Sequence, residues 1–429
     1  MRIKVLTINC WGLWLVSKRR KERIRLIAEE IRRSDVDVVI LQEVFVKEDI
    51  KHLSATAAQG TLKHAQYMHS SFLGGELLML SCWPILYTRF HCFSAGGPPE
   101  AVWQGDWIAG KGVGLVCLDT TSGPVRVFNT HTCANYGRVY RHVDIHGGVE
   151  FPTDANAPVR TVQVLELIDF ICTHGSQGHG AVVVGGDFNC RPGDFEMKML
   201  GTLLPELHDS WALLHPDEPG CTSNSGDQGK DPAVLADPPK RIDYLFGTCK
   251  PVEAELVLQD PLHGLMLSDH LGLISTFDLS ADSASTARLP GDDVLSKRAR
   301  ENASLFSAAL EQLNSGVSRY DARGMLLLWS ALGLEAPLLI ASYTNFVWVL
   351  VVESDSAGDA WWIVIMIVLA TLTVLLAATI PLQLALSVAY CCQARAMQMH
   401  AENIRASLRQ KRQCPAADQV MFTDCQSGL

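Results

Sequence analysis

Residues 181–189 read AVVVGGDFN, an apolar run that ends in an acid and an amide. The run Ala181–Val184 predicts a buried β-strand, because short apolar stretches bounded by glycine favour a strand over a helix. Asp187 and Asn189 follow at the point where this strand should end. A single polar pair in such a place is most often a turn or a cap. This stretch alone therefore predicts a structural element and not a function.

Five further segments have the same form, with polar residues beside a predicted strand. They are Asn9-Cys10-Trp11-Gly12, Gln42-Glu43-Val44, Asn129-Thr130-His131, Arg241-Ile242-Asp243-Tyr244 and Ser268-Asp269-His270. Polar groups that end several strands of one sheet converge over a rigid scaffold. The six segments together predict one functional cleft floored by a sheet.

The remaining pattern is that of a mixed fold. Further strands are predicted at residues 3–9, 36–41, 77–80, 113–118, 125–130, 242–246 and 271–277, and helices at residues 17–34, 159–172 and 194–203. Residues 217–240 are rich in Pro, Gly, Asp and Asn and predict a long surface loop. Many strands with scattered helices, and no strict strand–helix alternation, indicate an α+β sandwich.

The predicted helix at residues 17–34 is amphipathic. Its apolar face carries Ile24, Ile27, Ala28 and Ile31, and its other face carries Lys18, Arg19, Arg20, Lys21, Arg23 and Arg25. A solvated basic face is the default interpretation of such a pattern, and a face resting on anionic lipid is the alternative.

Composition limits the class of partner and the compartment. The 429 residues carry a formal net charge of −10, which argues against nucleic acid as the main partner. The 13 cysteines are scattered without a CxxC pair, so no zinc site is predicted. No secretory signal opens the sequence, and we expect the polar part to lie in the cytosol.

Two apolar runs, Met325–Val352 and Trp361–Cys392, predict a transmembrane hairpin, since about 20 apolar residues cross a bilayer. Glu335 interrupts the first run, and we expect it to face the second helix or to lie near one end. Basic residues flank both runs and acidic ones join them, so the positive-inside rule predicts that the polar part of the chain and both termini are cytosolic. We expect the membrane to be that of the endoplasmic reticulum or another internal membrane.

These features give six predicted segments. They are a globular domain at 1–279, for which the resemblance described next implies catalysis, a linker and juxtamembrane segment at 280–324, a transmembrane helix at 325–352, a short acidic loop at 353–360, a second transmembrane helix at 361–392 and a cytosolic tail at 393–429. The oligomeric state is left open.

The six polar segments, in this order, resemble the endonuclease/exonuclease/phosphatase superfamily over residues 1–279. This resemblance implies a four-layer α/β sandwich and a Mg2+-dependent phosphodiesterase. Within the superfamily the chain is most similar to membrane-anchored neutral sphingomyelinases, through NCWG, QEV, GDWIAGKGVG at Gly105–Gly114 and the two-helix tail.

The resemblance also assigns the metal and phosphate contacts. Glu43 is implied as the main Mg2+ ligand, with Asn9 close by and Asp269 on the metal side, and Mn2+ is an alternative ion. Oxygen ligands of this type suit a hard divalent cation. Lys111 is implied to contact the substrate phosphate, and a solvated lysine is the competing interpretation.

The catalytic roles implied by the resemblance fall on five residues. His270 is the general base for the attacking water, and Asp243 orients it. Asp187 and Asn189 position the water and the phosphate, so Asn189 is also a substrate-binding residue. His131 donates to a non-bridging oxygen or assists the leaving group.

The resemblance implies hydrolysis of sphingomyelin to ceramide and phosphocholine at a membrane. One alternative keeps the mechanism and changes the lipid to lyso-phosphatidylcholine or lyso-platelet-activating factor. A second alternative is a membrane-tethered nuclease, and a third is a scaffold without activity. A loop with Trp103, Trp107 and Ile108 is a candidate membrane contact, with core packing as the alternative.

Overall fold

The computed structural model describes residues 1–14, 17–69, 75–99, 106–135, 154–176, 180–223, 239–280, 289–352 and 360–413. Two six-stranded sheets face each other. The first has the order β11 (Pro251–Val257), β12 (Gly272–Asp278), β1 (Arg2–Asn9), β2 (Val38–Gln42), β4 (Leu77–Ser81) and β3 (His64–Met68). The second has the order β5 (Ile85–Cys92), β6 (Gly112–Thr120), β7 (Gly123–His131), β8 (Ala181–Asp187), β10 (Asp243–Gly247) and β9 (His208–Asp209).

Helices pack on the outer faces of both sheets and continue into a C-terminal helical hairpin. The helices in chain order are α1 (Arg20–Arg33), α2 (Lys47–Ala57), α3 (Asp106–Ala109), α4 (Ala157–Gly175), α5 (Phe195–Leu203), α6 (Ser210–Leu214), α7 (Asp292–Glu301), α8 (Ala303–Trp329), α9 (Ala336–Val352) and α10 (Ala360–Gln413), with a π-helical segment at Ser330–Glu335. An apolar layer between the sheets and one on each outer face make four layers of structure. The predicted α/β sandwich is confirmed.

Strand register brings the predicted polar segments together. The parallel pair β7–β8 sets His131 opposite Asp187, and the antiparallel pair β8–β10 sets Asp243 opposite the same residue. In the other sheet, parallel pairing of β1 with β2 sets Asn9 opposite Gln42, next to Glu43. One edge of the sandwich therefore collects the ends of four strands and the beginning of a fifth.

The basic face predicted for α1 is only partly solvated. Arg20 is buried and paired with Asp49 of α2. Arg23 is fully buried and donates to backbone carbonyls. The expectation that these two arginines belong to a solvated face is wrong, because each satisfies an acceptor inside the protein. Lys18, Arg19, Lys21 and Arg25 are exposed, as predicted.

The C-terminal helices form an antiparallel pair. Two helical stretches, within Ala303–Asn345 and Ile367–Ala406, are long and apolar enough to cross a membrane, and only 11% and 6% of their most apolar windows are buried. Such low burial argues against a soluble core helix. Glu335 accepts hydrogen bonds from Thr379 and Gln383 of α10, so the expectation that it faces the second helix is confirmed.

The segments predicted as linker and tail are largely helical. Residues 289–324 contain α7 and most of α8, and α8 continues into the apolar run without a break at residue 325. Helix α10 likewise passes residue 392 and ends at Gln413. Phe306, Leu313, Met397 and Ile404 join the same apolar core as α4. Helices α8 and α10 are therefore part of the α/β sandwich as well as of the hairpin.

Candidate active site

Asp187 lies at the centre of the polar edge. Its Oδ2 accepts a hydrogen bond of 3.0 Å from Asn9 Nδ2, and it lies 3.4 Å from His131 Nε2 and 3.8 Å from His270 Nε2. Its Oδ1 accepts from the backbone N–H of Asn189. Asp187 is 1% exposed, so these contacts replace water around its charge.

His270 and Asp243 form a buried pair. His270 Nδ1 lies 2.8 Å from Asp243 Oδ2, which also accepts from the Thr222 hydroxyl at 2.6 Å. Burial lowers the pKa of His270, but the carboxylates of Asp243 and Asp187 outweigh it and raise the pKa to about 10. Asp243 fixes one ring nitrogen and leaves Nε2 facing Asp187, the arrangement required of a base that acts through Nε2.

His131 has a carboxylate partner of its own. Glu76, just before β4, lies 2.9 Å from His131 Nδ1 and is 1% exposed. Burial lowers the pKa of His131, and the Glu76 carboxylate more than compensates and raises it. Sequence reasoning missed Glu76, although it is a polar residue at the start of an apolar strand. A search for polar residues at the beginnings of antiparallel strands, as well as at strand ends, would identify Glu76.

Lys111 is buried beside this second pair. Its Nζ lies 2.8 Å from His131 Nε2, 3.1 Å from Asp106 and 3.6 Å from Glu76. Burial lowers the pKa of Lys111, but Glu76 and Asp106 outweigh it and raise the pKa above its usual value. The alternative of a solvated lysine is wrong, since the side chain is 4% exposed. Lys111 brings a fixed positive charge to the edge that holds Asp187.

Glu43 offers an acceptor to a ligand. Asn9 Nδ2 donates to Glu43 Oε1 at 3.0 Å, while the buried Glu43 Oε2 has no hydrogen-bond partner among the described residues. Burial raises the pKa of Glu43, with His131 and Lys111 opposing it. A buried carboxylate oxygen without a partner is costly unless a cation or a ligand completes it. The donor set of Glu43, Asn9 and the nearby Asp269 thus fits a hard divalent cation.

A second group of residues could also hold a metal ion. Ligand atoms of Asp187, Asp243 and His270 all lie within 4.8 Å of one another, and all three side chains are buried. His270 Nδ1 bonds to Asp243 Oδ2, while Asp243 Oδ1, like Glu43 Oε2, is buried without a hydrogen-bond partner among the described residues. Both groups therefore offer a carboxylate oxygen to a cation, with Asp187 between them.

Several residues at the strand ends have left-handed backbone conformations. Trp11, Glu43 and Asn189 have φ of 46°, 58° and 48°. Non-glycine residues in this region cost free energy and cluster at functional sites. Gly12 permits the close approach of its backbone to that of Glu43, because a Cβ there would lie 2.1 Å from the Glu43 carbonyl oxygen. Unusual backbone conformations, as well as side chains, are therefore concentrated at this edge of the sandwich.

Arg23 of α1 ties two loops of the site to the sandwich. It donates to the carbonyls of Cys10 and Leu267, each at 2.9 Å, and to that of Trp11 at 2.6 Å. These loops carry the residues that follow Asn9 and precede His270. Arg23 thus fixes the positions of the two loops that flank Asn9 and His270.

All nine residues singled out in the sequence meet at this edge. They are Asn9, Glu43, Lys111, His131, Asp187, Asn189, Asp243, Asp269 and His270. Asn189 does so through its backbone, while its side chain donates to the Thr132 carbonyl. Trp107 is 41% exposed, and Trp103 lies outside the described residues. The additional members are Glu76, Asp106 and Thr222.

Residues 6–270 match the Endonuclease/Exonuclease/phosphatase family, and the chain belongs to that family. An inositol phosphosphingolipids phospholipase C from Schizosaccharomyces pombe is 28% identical over 304 residues, which covers 63% of this chain and 67% of that protein. Sphingomyelin phosphodiesterase 2 from Homo sapiens is 28% identical over 290 residues, covering 64% of each chain. The crystal structure of sphingomyelinase C from Streptomyces griseocarneus aligns with a TM-score of 0.49 and 21% identity over 65% of this chain and 100% of that chain.

The resemblance drawn from the six polar segments is thereby confirmed, because residues 6–270 match the same family. The chain spans between about two fifths and two thirds of the length of the first curated relatives that it matches.

Proposed function

We propose that this chain is a Mg2+-dependent phosphodiesterase that hydrolyses sphingomyelin to ceramide and phosphocholine. The observation that carries the proposal is the pair of histidine–carboxylate contacts, His270–Asp243 and His131–Glu76, on either side of Asp187. Hydrolysis of a phosphodiester needs a base on the water side and a donor on the opposite side, and these contacts supply both.

In the proposed reaction His270 Nε2 takes a proton from water as the water oxygen attacks phosphorus. The phosphorus–oxygen bond to ceramide breaks, and the ceramide oxygen takes a proton from His131, or from solvent if His131 instead donates a hydrogen bond to a non-bridging phosphoryl oxygen. Asp187 and Asn189 align the water and the phosphate, and Lys111 contributes positive charge near the developing anion. Asp243 and Glu76 hold the two imidazole rings in orientation.

Glu43, Asn9 and Asp269 are the proposed residues for the cation. A divalent cation bound there would supply positive charge to the phosphoryl oxygens. The buried Glu43 Oε2, which has no hydrogen-bond partner among the described residues, supports metal-dependent activity.

The choice of a sphingolipid rests on the curated relatives and on the apolar hairpin. Both relatives described above are phosphodiesterases of sphingolipids by name. Two helices that can cross a membrane would hold the site at a lipid surface. The lipids named for the two relatives differ in head group, which is inositol phosphate in one and phosphocholine in the other. Inositol phosphosphingolipid is therefore a second candidate substrate.

The test uses the full-length chain in mixed micelles with head-group-labelled sphingomyelin, inositol phosphosphingolipid or lyso-phosphatidylcholine. We expect release of the labelled phosphate head group that is fastest from sphingomyelin, requires Mg2+ and stops with EDTA. His270→Ala is the matched control for contaminating activity.

Faster release from the inositol lipid or the lyso-lipid would keep the mechanism and replace the substrate. No release from any of the three lipids would contradict the proposal, and plasmid nicking and inositol phosphate hydrolysis would then be measured.

A further inference from the structure

The segment 132–134 follows His131 at the end of β7 and has no regular secondary structure. The Thr132 N–H donates to the Asp187 carbonyl at 3.0 Å, and the Thr132 carbonyl accepts from the Asn189 side chain, also at 3.0 Å. The beginning of the segment is thus tied to the residues that end β8. The spacing between His131 and Asn189 therefore depends on how this segment is held.

The rest of the segment is held by one face of α4. Asn156, the residue before this helix, donates from Nδ2 to the Ala134 carbonyl at 2.8 Å. Arg160 Nη1 donates to the Cys133 carbonyl at 3.3 Å, and Gln163 Oε1 accepts from the Cys133 N–H at 2.8 Å. Side chains spaced by four and three residues lie on the same face of a helix. Buried irregular backbone needs such partners, so this face fixes the conformation of the segment.

The two innermost of these side chains are themselves fixed at their other atoms. Arg160 pairs with Asp154, and its Nε lies 3.4 Å from Glu196 Oε1 in α5. Gln163 Nε2 donates to the Ala95 carbonyl at 2.8 Å. Arg160 is 2% exposed and Gln163 is fully buried. Neither side chain can turn away from the segment without leaving a buried polar group unpaired, which costs free energy.

We propose that Arg160 and Gln163 are positioning residues for His131 in the hydrolytic reaction. The inference rests on the proposed function, which gives His131 and Asn189 their roles at the phosphate. Both positioning residues act through the segment 132–134, which begins at His131 and is bonded to Asn189. The proposed cation residues lie at strand ends of the other sheet. Loss of this positioning should therefore slow the chemical step and leave Mg2+ binding unchanged.

The test compares Arg160→Lys and Gln163→Met with Thr161→Val in the full-length chain. Lysine keeps the positive charge beside the two carboxylates, and methionine keeps the length of glutamine, so these changes remove the contacts to the segment at a small cost in packing. Thr161 is the matched control, since it is buried in the same turn of α4 and bonds to Gln312 instead of the segment.

The measurements are the rate of head-group release, its Mg2+ titration and the thermal midpoint of unfolding. We expect kcat of Arg160→Lys and Gln163→Met to fall by about 10–100-fold, because a displacement near 1 Å at a reacting group has an effect of this size. The Mg2+ concentration for half-maximal activity should stay at the native value. Thr161→Val should lower the thermal midpoint and keep the native kcat.

Hydrogen–deuterium exchange at the amides of residues 132–134 gives a second readout that needs no activity. We expect faster exchange in Arg160→Lys and Gln163→Met than in the native chain and in Thr161→Val. Because Gln163 is uncharged, Gln163→Met decides the question if Arg160→Lys does not fold.

Native kcat with native exchange in the folded variants would overturn the proposal. An equal loss of kcat in Thr161→Val, or a raised Mg2+ requirement that accounts for the loss in the other two, would also overturn it. Absence of head-group release by the native chain would reject the proposed function instead, and the exchange rates would then decide whether Arg160 and Gln163 hold the segment.

Discussion

Asp187 shows how a single residue serves several neighbours. It touches Asn9, His131 and the backbone of Asn189, and it lies within 3.8 Å of His270. The sequence could predict that these residues meet, because each sits at the end of an apolar strand. It could not predict Thr222, which reaches Asp243 from an irregular segment with no periodic pattern. Contacts from irregular segments depend on tertiary structure alone.

Replacing His270 by Ala should lower kcat by about 10²–10⁴-fold, because the change removes the proposed base. Thr222→Val is the matched control, since it removes a hydrogen bond to Asp243 and leaves the imidazole in place. The measurement is the rate of phosphocholine release, with thermal unfolding followed in parallel. A folded His270→Ala enzyme with a near-normal rate would rule out this role.

Replacing Glu43 by Gln should raise the Mg2+ concentration for half-maximal activity by about tenfold, with kcat partly restored at high Mg2+. Glu76→Gln should reduce kcat without this shift, because Glu76 bonds to His131 and not to the open acceptor. Titration of activity with Mg2+ distinguishes the two variants. An unchanged Mg2+ dependence in Glu43→Gln would remove Glu43 from the metal site.

At the level of elements, the strongest sequence patterns gave the correct structure. The buried strands β1, β2, β7 and β8 and the helix α4 agree with prediction to within a few residues. The missed strands β3, β5, β9 and β11 lie at sheet edges and contain many partly exposed residues. Their conformation comes from pairing with a neighbour, which a local pattern does not record.

Helix α1 offers a test of how an element supports the site. Arg23→Met should lower the free energy of unfolding by about 2–4 kcal/mol, because it leaves buried carbonyl groups without a donor. Arg25→Met changes an exposed arginine of the same helix and should cost about 0.5 kcal/mol or less. Chemical denaturation in detergent micelles measures both, and equal stability of the two variants would contradict the role given to Arg23.

At the scale of the whole molecule, the sandwich and the C-terminal helices share one core. Glu166 of α4 accepts hydrogen bonds from the Ser94 backbone and hydroxyl, and from His91 and His400. It therefore joins β5, α4 and α10. The sequence separated a catalytic domain from a tail at composition changes, but composition does not reveal that helices beyond the change pack back onto the domain.

The free energy of unfolding should depend on pH through Glu166, which joins β5, α4 and α10. Burial raises the pKa of Glu166, but hydrogen bonds from His400, His91 and Ser94 outweigh it and lower the pKa to about 2. A carboxyl group whose pKa is lowered by folding stabilises the fold at pH values above its unfolded pKa of 4.5. This contribution to stability is lost as pH falls toward 2. It amounts to about 2–3 kcal/mol.

The thermal midpoint of Glu166→Gln should therefore lie below that of the native chain at pH 7, and the gap should narrow as pH falls below about 4.5. Unfolding in detergent micelles across this range measures the gap. Asp169→Asn, which changes a carboxylate one turn further along α4, is the control. A gap that stays constant with pH would mean that the Glu166 charge does not stabilise the fold.

Helices α8 and α10 pass from the shared core into the apolar hairpin without an intervening loop. With the hairpin in a bilayer, the catalytic centre would search for lipid by lateral diffusion, in two dimensions and at a constant height. Turnover would then follow the mole fraction of substrate in the surface. Diluting the suspension at fixed lipid composition would leave the rate per enzyme unchanged, as expected of interfacial kinetics.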